Sequence, residues 1–450
     1  MNISTLVTEG DINFSEERYK WNNQINDVLT RELLIDDARY FLHQSMSTPC
    51  LDVLESCTGS GMTTISGKHL LDFHGNNVHQ VGHGNRYVIR QLIRQLNRLS
   101  FSPRRYTNRP AIELAKKLAG LLPGDLNRSL YAPGGTLAIG MAIKLARVVT
   151  GRYKIIALQD SFHGASLDSI SVGGEEVFRK YMEPLMPGVI HIPQPDTYRG
   201  IYGNSEEDQI HYAEHLEETI KKEGNIGAFL AETIRNTDVQ IPSVAYWKKV
   251  REICTKYNVL LILDEIPIAF GRTGEMFAFQ HFGIEPDILC LGKGLGGGII
   301  PFAAMVTRDR YNIAQDISLG HYTHEKSPLG SIAAIATIDF IQKKNILEKV
   351  KADGTWMKEE LYRLKKQYPL IQDIRGLGLL WGIELVKNPK TKEKATKEAE
   401  KIMYECMRNG LNFKISNGNV LQLSPPLTIL RADLEKAISI LASVIKQQSF

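Results

Sequence analysis

Cysteine is scarce in this chain: five residues in 450, at positions 50, 57, 254, 290 and 406, with no C-x-x-C among them. So odd and widely spaced a set excludes a disulfide framework or a zinc finger and fits reduced thiols in a cytosolic protein. No run of 18 apolar residues occurs, so no membrane-spanning helix is expected. Charge of one sign is not in excess either. Lys and Arg number 54 against 50 Asp and Glu, a net of +4, which gives no basic footprint for nucleic acid unless the fold gathers it on one face. Internal repeats and low-complexity tracts are absent, and 43% hydrophobic with 23% charged residues is ordinary for a globular chain, not a disordered, collagen-like or coiled-coil one. The opening MNISTLVTEGDINFSEERYK is too polar and acidic for a signal or transit peptide. The expectation is a cytoplasmic enzyme with a sizeable core.

The first 50 residues are polar and helix-like, an arm. Residues 62–73 (MTTISGKHLLDF) predict two short strands around Ser66-Gly67. From about 130, short apolar strands alternate with amphipathic helices: Ser129–Ala132, Lys154–Leu158, Gly227–Ala231, Val259–Leu263, Ile288–Leu291 and Phe302–Val306. Continuous apolar runs suit strands buried on both faces. Helices are expected at about Thr136–Val149 and Ser243–Tyr257. This alternation predicts an α/β domain with a mostly parallel sheet. A long charged helix (Leu347–Gln367), a glycine-bearing strand (RGLGLLWGIELV) and two more helices predict a smaller α+β domain. The expected boundaries are residues 1–100 for the arm and part of the small domain, 101–340 for the large domain and 341–450 for the rest of the small one. The pattern predicts helix running unbroken through the last boundary.

Three pieces carry chemistry. Asp264 and Glu265 end the apolar run LLILDE, at the strand edge where ligands bind in open α/β sheets. A P-loop reading fails, because the Gly-Lys pairs are followed by His69 and Gly294, never Ser or Thr. Lys293 stands between Gly292 and Gly294 just after a strand. The run formally satisfies G-x-G-x-x-G, but a strand-like segment follows it where a dinucleotide site needs a helix. Glycines on both sides let backbone approach a bulky group closely. Third, Ala132-Pro133-Gly134-Gly135-Thr136 joins a strand to a helix, and helix-start amides with Thr136 as N-cap would cradle a phosphate. The pairs His79/His83 and His211/His215 have i,i+4 spacing but no evident third ligand, so no metal is expected. Phosphate cradle, strand-end carboxylate and glycine-flanked lysine together point to pyridoxal phosphate: its phosphate takes the helix start, its ring nitrogen an Asp, its aldehyde a lysine.

At this point the chain resembles the class III aminotransferases, of the fold-type I pyridoxal-phosphate architecture. The blocks that carry the likeness run from about Leu54 to Ile445: LLDFHGNNVHQVGHGN, APGGTLAIGMAIKLAR, DSFHGASL, LLILDEIPIAFGRTG, PDILCLGKGLGGG, THEKSPLGSIAA, IRGLGLLWGIELV and LQLSPPLTI. The resemblance implies a large domain with a seven-stranded-type sheet plus a smaller α+β domain. It makes Lys293 the Schiff-base lysine and Asp264 the partner of the ring nitrogen. Phe162 and His163 match the cofactor-binding aromatic block, with Phe162 stacking on the ring. Gly135 and Thr136 match the phosphate loop, and Thr323 the threonine that reaches the phosphate from the neighbouring subunit. A homodimer with shared sites is therefore implied. Glu232 matches an active-site glutamate of the family.

Departures from the family pattern bear on substrate. The phosphate loop reads G-G-T-L-A without the usual acidic residue. Ile266-Pro267 replaces V-Q, so the glutamine that meets the ring hydroxyl is absent. Gln422 stands where an arginine usually precedes P-P-L, and a neutral amide lacks the bidentate charged fork for a carboxylate. Glu232 then needs another partner, for which Arg235 is the candidate. SFSPRRYTNRP instead offers Arg104, Arg105 and Arg109, either a solvated loop or a clamp for phosphonate or phosphate oxygens. The blocks FHGNNVHQVGHGN, SFSPRRYTNRP and APGGT are similar to a branch acting as ammonia-lyases on (R)-1-hydroxy-2-aminoethylphosphonate. That likeness implies proton abstraction by Lys293, β-elimination, and release of phosphonoacetaldehyde and ammonia. The alternatives are an ω-amine transaminase, an amino-acid racemase and, in another class, a non-catalytic scaffold that would be colourless when pure.

Overall fold

The computed structural model describes residues 14–44, 47–203 and 205–448. The chain divides into two compact units. One comprises the residues up to Asn85, Thr237–Val239 and Glu348 onward; the other comprises Arg86–Asn236 and Gln240–Leu347. These divisions, at 85/86 and 347/348, differ from the 100/101 and 340/341 expected from sequence. Helix Arg86–Leu96 packs on helix Pro328–Lys343 and so goes with the second unit. Helix does run through 340, as expected, but not far beyond it. It stops at Lys343, Asn345 takes φ +49°, and a new helix covers Ile346–Gln367. Asn tolerates the left-handed region better than most residues, so it can break two helices that look continuous in sequence.

In the first unit, helices Glu16–Gln24 and Val28–Tyr40 form the arm. Strands β1 (Leu54–Thr58), β2 (Gly61–Thr64) and β3 (His69–Asp72) follow as an antiparallel meander, with the expected turn at Ser66-Gly67.

The second unit is built on seven strands: β4 (Leu126–Ala132), β5 (Lys154–Leu158), β6 (Val189–Ile192), β7 (Ile226–Glu232), β8 (Leu260–Asp264), β9 (Ile288–Leu291) and β10 (Ala303–Arg308). Their order is β4-β10-β9-β8-β7-β5-β6. Only β10 runs antiparallel to its neighbours; the others pair in parallel. Every residue of β7, β8 and β9 is buried, as their unbroken apolar runs require. Each fully buried Ile or Leu there contributes about 1.5–3 kcal/mol. Helix Gly135–Thr150 covers one face, burying Ile139, Ile143 and Leu145 against the sheet. Helix Val244–Lys256 starts at Ser243, whose hydroxyl accepts the Tyr246 N–H at 3.1 Å, a cap worth about 1 kcal/mol.

The rest of the first unit corrects one expectation. RGLGLLWGIELV is not one strand but a hairpin of β11 (Ile371–Leu377) and β12 (Leu380–Asn388), turning at Gly378 with φ +59°. Next come β13 (Glu393–Lys394), β14 (Leu411–Asn412), β15 (Lys414–Ser416) and β16 (Val420–Leu423). β14 joins β3 in parallel, and β16 and β15 extend the hairpin sheet. Helices Thr396–Arg408 and Arg431–Gln448 complete this unit.

Candidate active site

Register alone assembles the centre of the second unit. β7 and β8 are parallel, with Glu232 opposite Asp264 as the last pair. β8 and β9 are parallel, with Asp264 opposite Cys290, three residues before Lys293. Three adjacent strands thus deliver Glu232, Asp264 and Lys293 to one carboxyl-end edge. Lys293 opens a short 3₁₀ turn, Lys293–Gly296, at φ +46°. Such a backbone costs about 1–3 kcal/mol for a non-glycine residue and persists only where the surroundings hold it. A Cβ on Gly292 would lie 3.1 Å from Ile266, and one on Gly135 only 2.8 Å from it. Ile266, the residue after the Asp-Glu pair, therefore packs against both the lysine loop and the phosphate loop, and both need glycine there.

Asp264 and His163 are each 2% exposed. His163 Nδ1 donates to Asp264 Oδ2 at 2.8 Å, and the Ile266 N–H donates to Oδ1 at 3.0 Å. His163 Nε2 is buried with no partner among the described residues. Glu232 accepts the N–H groups of Phe162 at 3.2 Å and Asn236 at 2.9 Å. Burial raises the Glu232 carboxyl above its usual range, against the pull of His163 and Arg235. Burial likewise draws the Lys293 amine down, opposed by Asp264 and Glu232. Both groups are pushed towards their neutral forms, and a neutral amine is the nucleophilic one. The Phe162 ring lies 4.7 Å, centroid to centroid, from Phe178.

The helix start differs in detail from expectation. Its N-cap is Gly134, not Thr136, and no side chain caps it. Thr136 lies too far into the helix to cap it; its hydroxyl instead bonds those of Ser166 at 2.6 Å and Ser169 at 2.8 Å. The amides of Leu137 and Ala138 bond the Gly134 carbonyl. Those of Gly135 and Thr136 make no hydrogen bond among the described residues, leaving the donors an anion needs.

Other expected residues lie elsewhere. Arg235 pairs with Glu175 at 2.9 Å, both buried, and its charge also acts on Glu232. That ion pair joins residues 60 apart and leaves no pattern in sequence. Gln422 is buried in β16 of the first unit, opposite Gly382 and Lys414. Thr323 is exposed in a turn before helix Pro328–Lys343. Arg105 is exposed, and Arg104 lines a cavity of about 470 Å³ whose walls include none of Lys293, Asp264 or Glu232. Arg109 begins helix Arg109–Leu121 and faces Glu113 at 3.8 Å. Of the histidine pairs, His211 and His215 turn to different partners, Glu214 and Tyr202. His79 and His83, expected to lack a third group, have Asp72 beside them, with the three ligand-type atoms within 4.8 Å. Asp72 accepts from His83 Nε2 at 2.8 Å and from His74 N, Gly75 N and Asn412 Nδ2 at 2.9–3.0 Å. Those bonds make it an anchor for the turn after β3.

Sheet order and strand-edge cluster define a fold-type I architecture of the pyridoxal-phosphate enzymes. The family model for class III aminotransferases matches residues 43–445, and the chain belongs to that family. It is 54% identical to the (R)-1-hydroxy-2-aminoethylphosphonate ammonia-lyase of Vibrio splendidus strain 12B01, over 97% of this chain and 95% of that one. Among solved structures it is similar to an (S)-enantioselective omega-transaminase from Thermomicrobium roseum, at 29% identity and TM-score 0.87, covering 93% of this chain and 98% of that one. It is also similar to taurine:2-oxoglutarate aminotransferase from Bifidobacterium kashiwanohense in complex with PLP and glutamate, at 25% identity and TM-score 0.87, covering 94% and 99%.

The residues present fit pyridoxal phosphate. Gly135 and Thr136 offer open amides for the phosphate, Asp264 a buried carboxylate oriented by His163 for the ring nitrogen, Phe162 an aromatic face, and Lys293 an amine held back from protonation. Pro267, standing after Ile266 on this edge, offers no side-chain donor to the ring hydroxyl.

Proposed function

We propose that this chain is a pyridoxal-phosphate-dependent ammonia-lyase converting (R)-1-hydroxy-2-aminoethylphosphonate to phosphonoacetaldehyde and ammonia, a step of phosphonate catabolism. The observation that carries it is the 54% identity, over nearly the whole of both chains, to the enzyme of that name. The Lys293–Asp264–Glu232 edge supplies the chemistry. When bound, pyridoxal phosphate provides an electron sink at the amine-bearing carbon. Asp264, held by His163, keeps the ring nitrogen protonated. Lys293 would be the base whose Nζ removes the proton from that carbon. The same Nζ would protonate the departing hydroxyl, which leaves as water. One water is lost and one regained, so no keto acid is consumed.

The second reading is an omega-transaminase, favoured by the similarity to solved transaminases. The neutral Gln422 counts against it, because a keto-acid acceptor brings a carboxylate. Cofactor-loaded protein given the hydroxyaminophosphonate without a keto acid decides between the two. Catalytic ammonia with an aldehyde product is expected. One amine consumed per cofactor, with turnover restored by pyruvate or 2-oxoglutarate, would overturn the lyase in favour of the transaminase.

The assembly we propose is a homodimer with shared sites, on the match of the exposed Thr323 to a cross-subunit threonine. The proposed location is the cytoplasm, supported by five cysteines that are all unpaired. No described helix is long and apolar enough to cross a membrane.

A further inference from the structure

Another cavity of the second unit, of about 340 Å³, lies at the opposite end of the strands that carry the catalytic edge. Its wall includes Val259 and Leu260, where β8 starts, and Asp287, just before β9. Asp264 is four residues further along β8, about 13 Å at about 3.3 Å per residue. None of Lys293, Asp264 or Glu232 lines this cavity. Its charged wall is three arginines, Arg152, Arg251 and Arg310, against one carboxylate, Asp287.

That carboxylate is already committed. Asp287 is buried and accepts Arg251 Nη1 at 2.7 Å, the Leu261 N–H at 2.9 Å and the Tyr311 hydroxyl at 3.1 Å. Arg308 Nε and Arg310 Nη2 face it as well, each at 3.5 Å. Arg310 has one further carboxylate, Asp125, at 3.8 Å, and Arg152 has none in ion-pair reach among the described residues. The guanidinium groups are nonetheless held. Arg152 Nη1 donates to the carbonyls of Ile226 and Tyr257, both at 3.1 Å, and Arg251 Nε to the Thr255 hydroxyl at 3.2 Å. Fixing those carbonyls uses one nitrogen of Arg152, and fixing Asp287 and Thr255 uses two of Arg251. Nε and Nη2 of Arg152 and Nη2 of Arg251 make no hydrogen bond among the described residues. Donors that are already held and still unspent pay little ordering cost when an oxyanion binds.

We infer that this cavity binds a small organic phosphate or phosphonate, at a site separate from the catalytic edge. Guanidinium forks pair the oxygens of a tetrahedral oxyanion two at a time, and the positive excess in the wall matches a dianion. The volume is that of a small-molecule site and leaves room for a short organic body beside the anion. Val149, Val259 and Leu260 supply the apolar wall for it. Nothing in this cavity takes part in the proposed lyase chemistry, so the site stands whichever amine the enzyme turns over.

Calorimetric titration of the cofactor-loaded protein with glycerol 3-phosphate, at constant ionic strength, tests it, with inorganic phosphate as the second probe. Saturable binding is expected, tighter for glycerol 3-phosphate than for inorganic phosphate. Arg310 is exposed, so Arg310→Gln should fold normally and weaken that binding about ten- to a hundredfold, the loss of a charge-assisted hydrogen bond. Its KM for the hydroxyaminophosphonate should stay at the wild-type value. Arg152→Gln should weaken binding by a similar factor; because Arg152 also holds two carbonyls, Arg310→Gln decides if that variant does not fold. Glycerol 3-phosphate should also raise the thermal midpoint of wild type more than that of Arg310→Gln. Equal affinities in wild type and Arg310→Gln would place the ligand elsewhere, the catalytic edge included, and overturn the site. An absence of saturable binding would overturn it too. Inorganic phosphate binding as tightly as glycerol 3-phosphate would overturn the assignment of an organic body to the apolar wall.

Discussion

The strand edge that holds Lys293 and the loop that holds Arg104 sit in the same unit and are built on opposite terms. At the edge the charged groups have buried neighbours: sheet register sets Glu232 opposite Asp264, His163 bonds Asp264, and burial drives lysine and glutamate towards neutrality. In the loop Arg104 and Arg105 are exposed or half-exposed and have no partner among the described residues. The edge has what bond-breaking needs, fixed geometry and shifted proton affinities. The loop instead leaves two cations to solvent, without a carboxylate to hold them.

Several changes would break or sharpen that contrast. Lys293→Ala should have the largest effect, abolishing both turnover and the visible absorption of the lysine-bound cofactor; retained turnover would remove Lys293 from the centre. Asp264→Asn should lower kcat about a hundred- to a thousandfold, the usual result of losing one preorganised electrostatic partner. A change confined to KM would mean that Asp264 belongs with the loop in kind. Glu175→Gln should leave turnover chemistry in place but take from the buried Arg235 its carboxylate partner at 2.9 Å. That should cost about 3–5 kcal/mol, read as a lowered denaturation midpoint. An unchanged midpoint would show the pair to be dispensable.

The smallest effect concerns pH. Burial raises the Glu265 carboxyl from 4.5 to about 7, although it accepts the N–H groups of Ala278 and Phe279 and the hydroxyl of Thr233. A carboxyl whose affinity for protons is higher in the folded state holds a proton that the unfolded chain has released. Stability therefore falls as pH rises from about 4.5 to 7. Denaturant midpoints of wild type and Glu265→Gln should converge or cross over that range. A constant difference would mean that Glu265 does not titrate there.

Much of this is legible in the sequence because the signals are local. Six of the seven sheet strands follow from apolar runs, and Asp264, Lys293 and Gly135 from glycine and acid placement at strand ends. β6 (Val189–Ile192) escapes because its run is short and interrupted by His191, and its faces are only partly buried. The helix cap falls at Gly134 and not two residues on, because Gly134 caps through its backbone conformation, which leaves no side-chain signature. The hairpin at Gly378 looks like one strand, because glycine inside an apolar run marks both a turn and a close approach.

By itself the sequence determined the elements, their alternation and the three residue types that cofactor chemistry demands, since hydrophobic period, glycine and proline act over a few neighbouring residues. Only the tertiary structure decided who faces whom. Glu232 came opposite Asp264, Arg235 went to Glu175 and Asp72 joined His83. The arginine loop was tied to the turn of Thr323. Such pairings depend on strand register and on loops closing across separations from 11 residues, at Asp72 and His83, to 218, at Asn108 and Lys326. The free energy that selects them comes from burial and charge in the assembled core, which no local stretch of the chain contains.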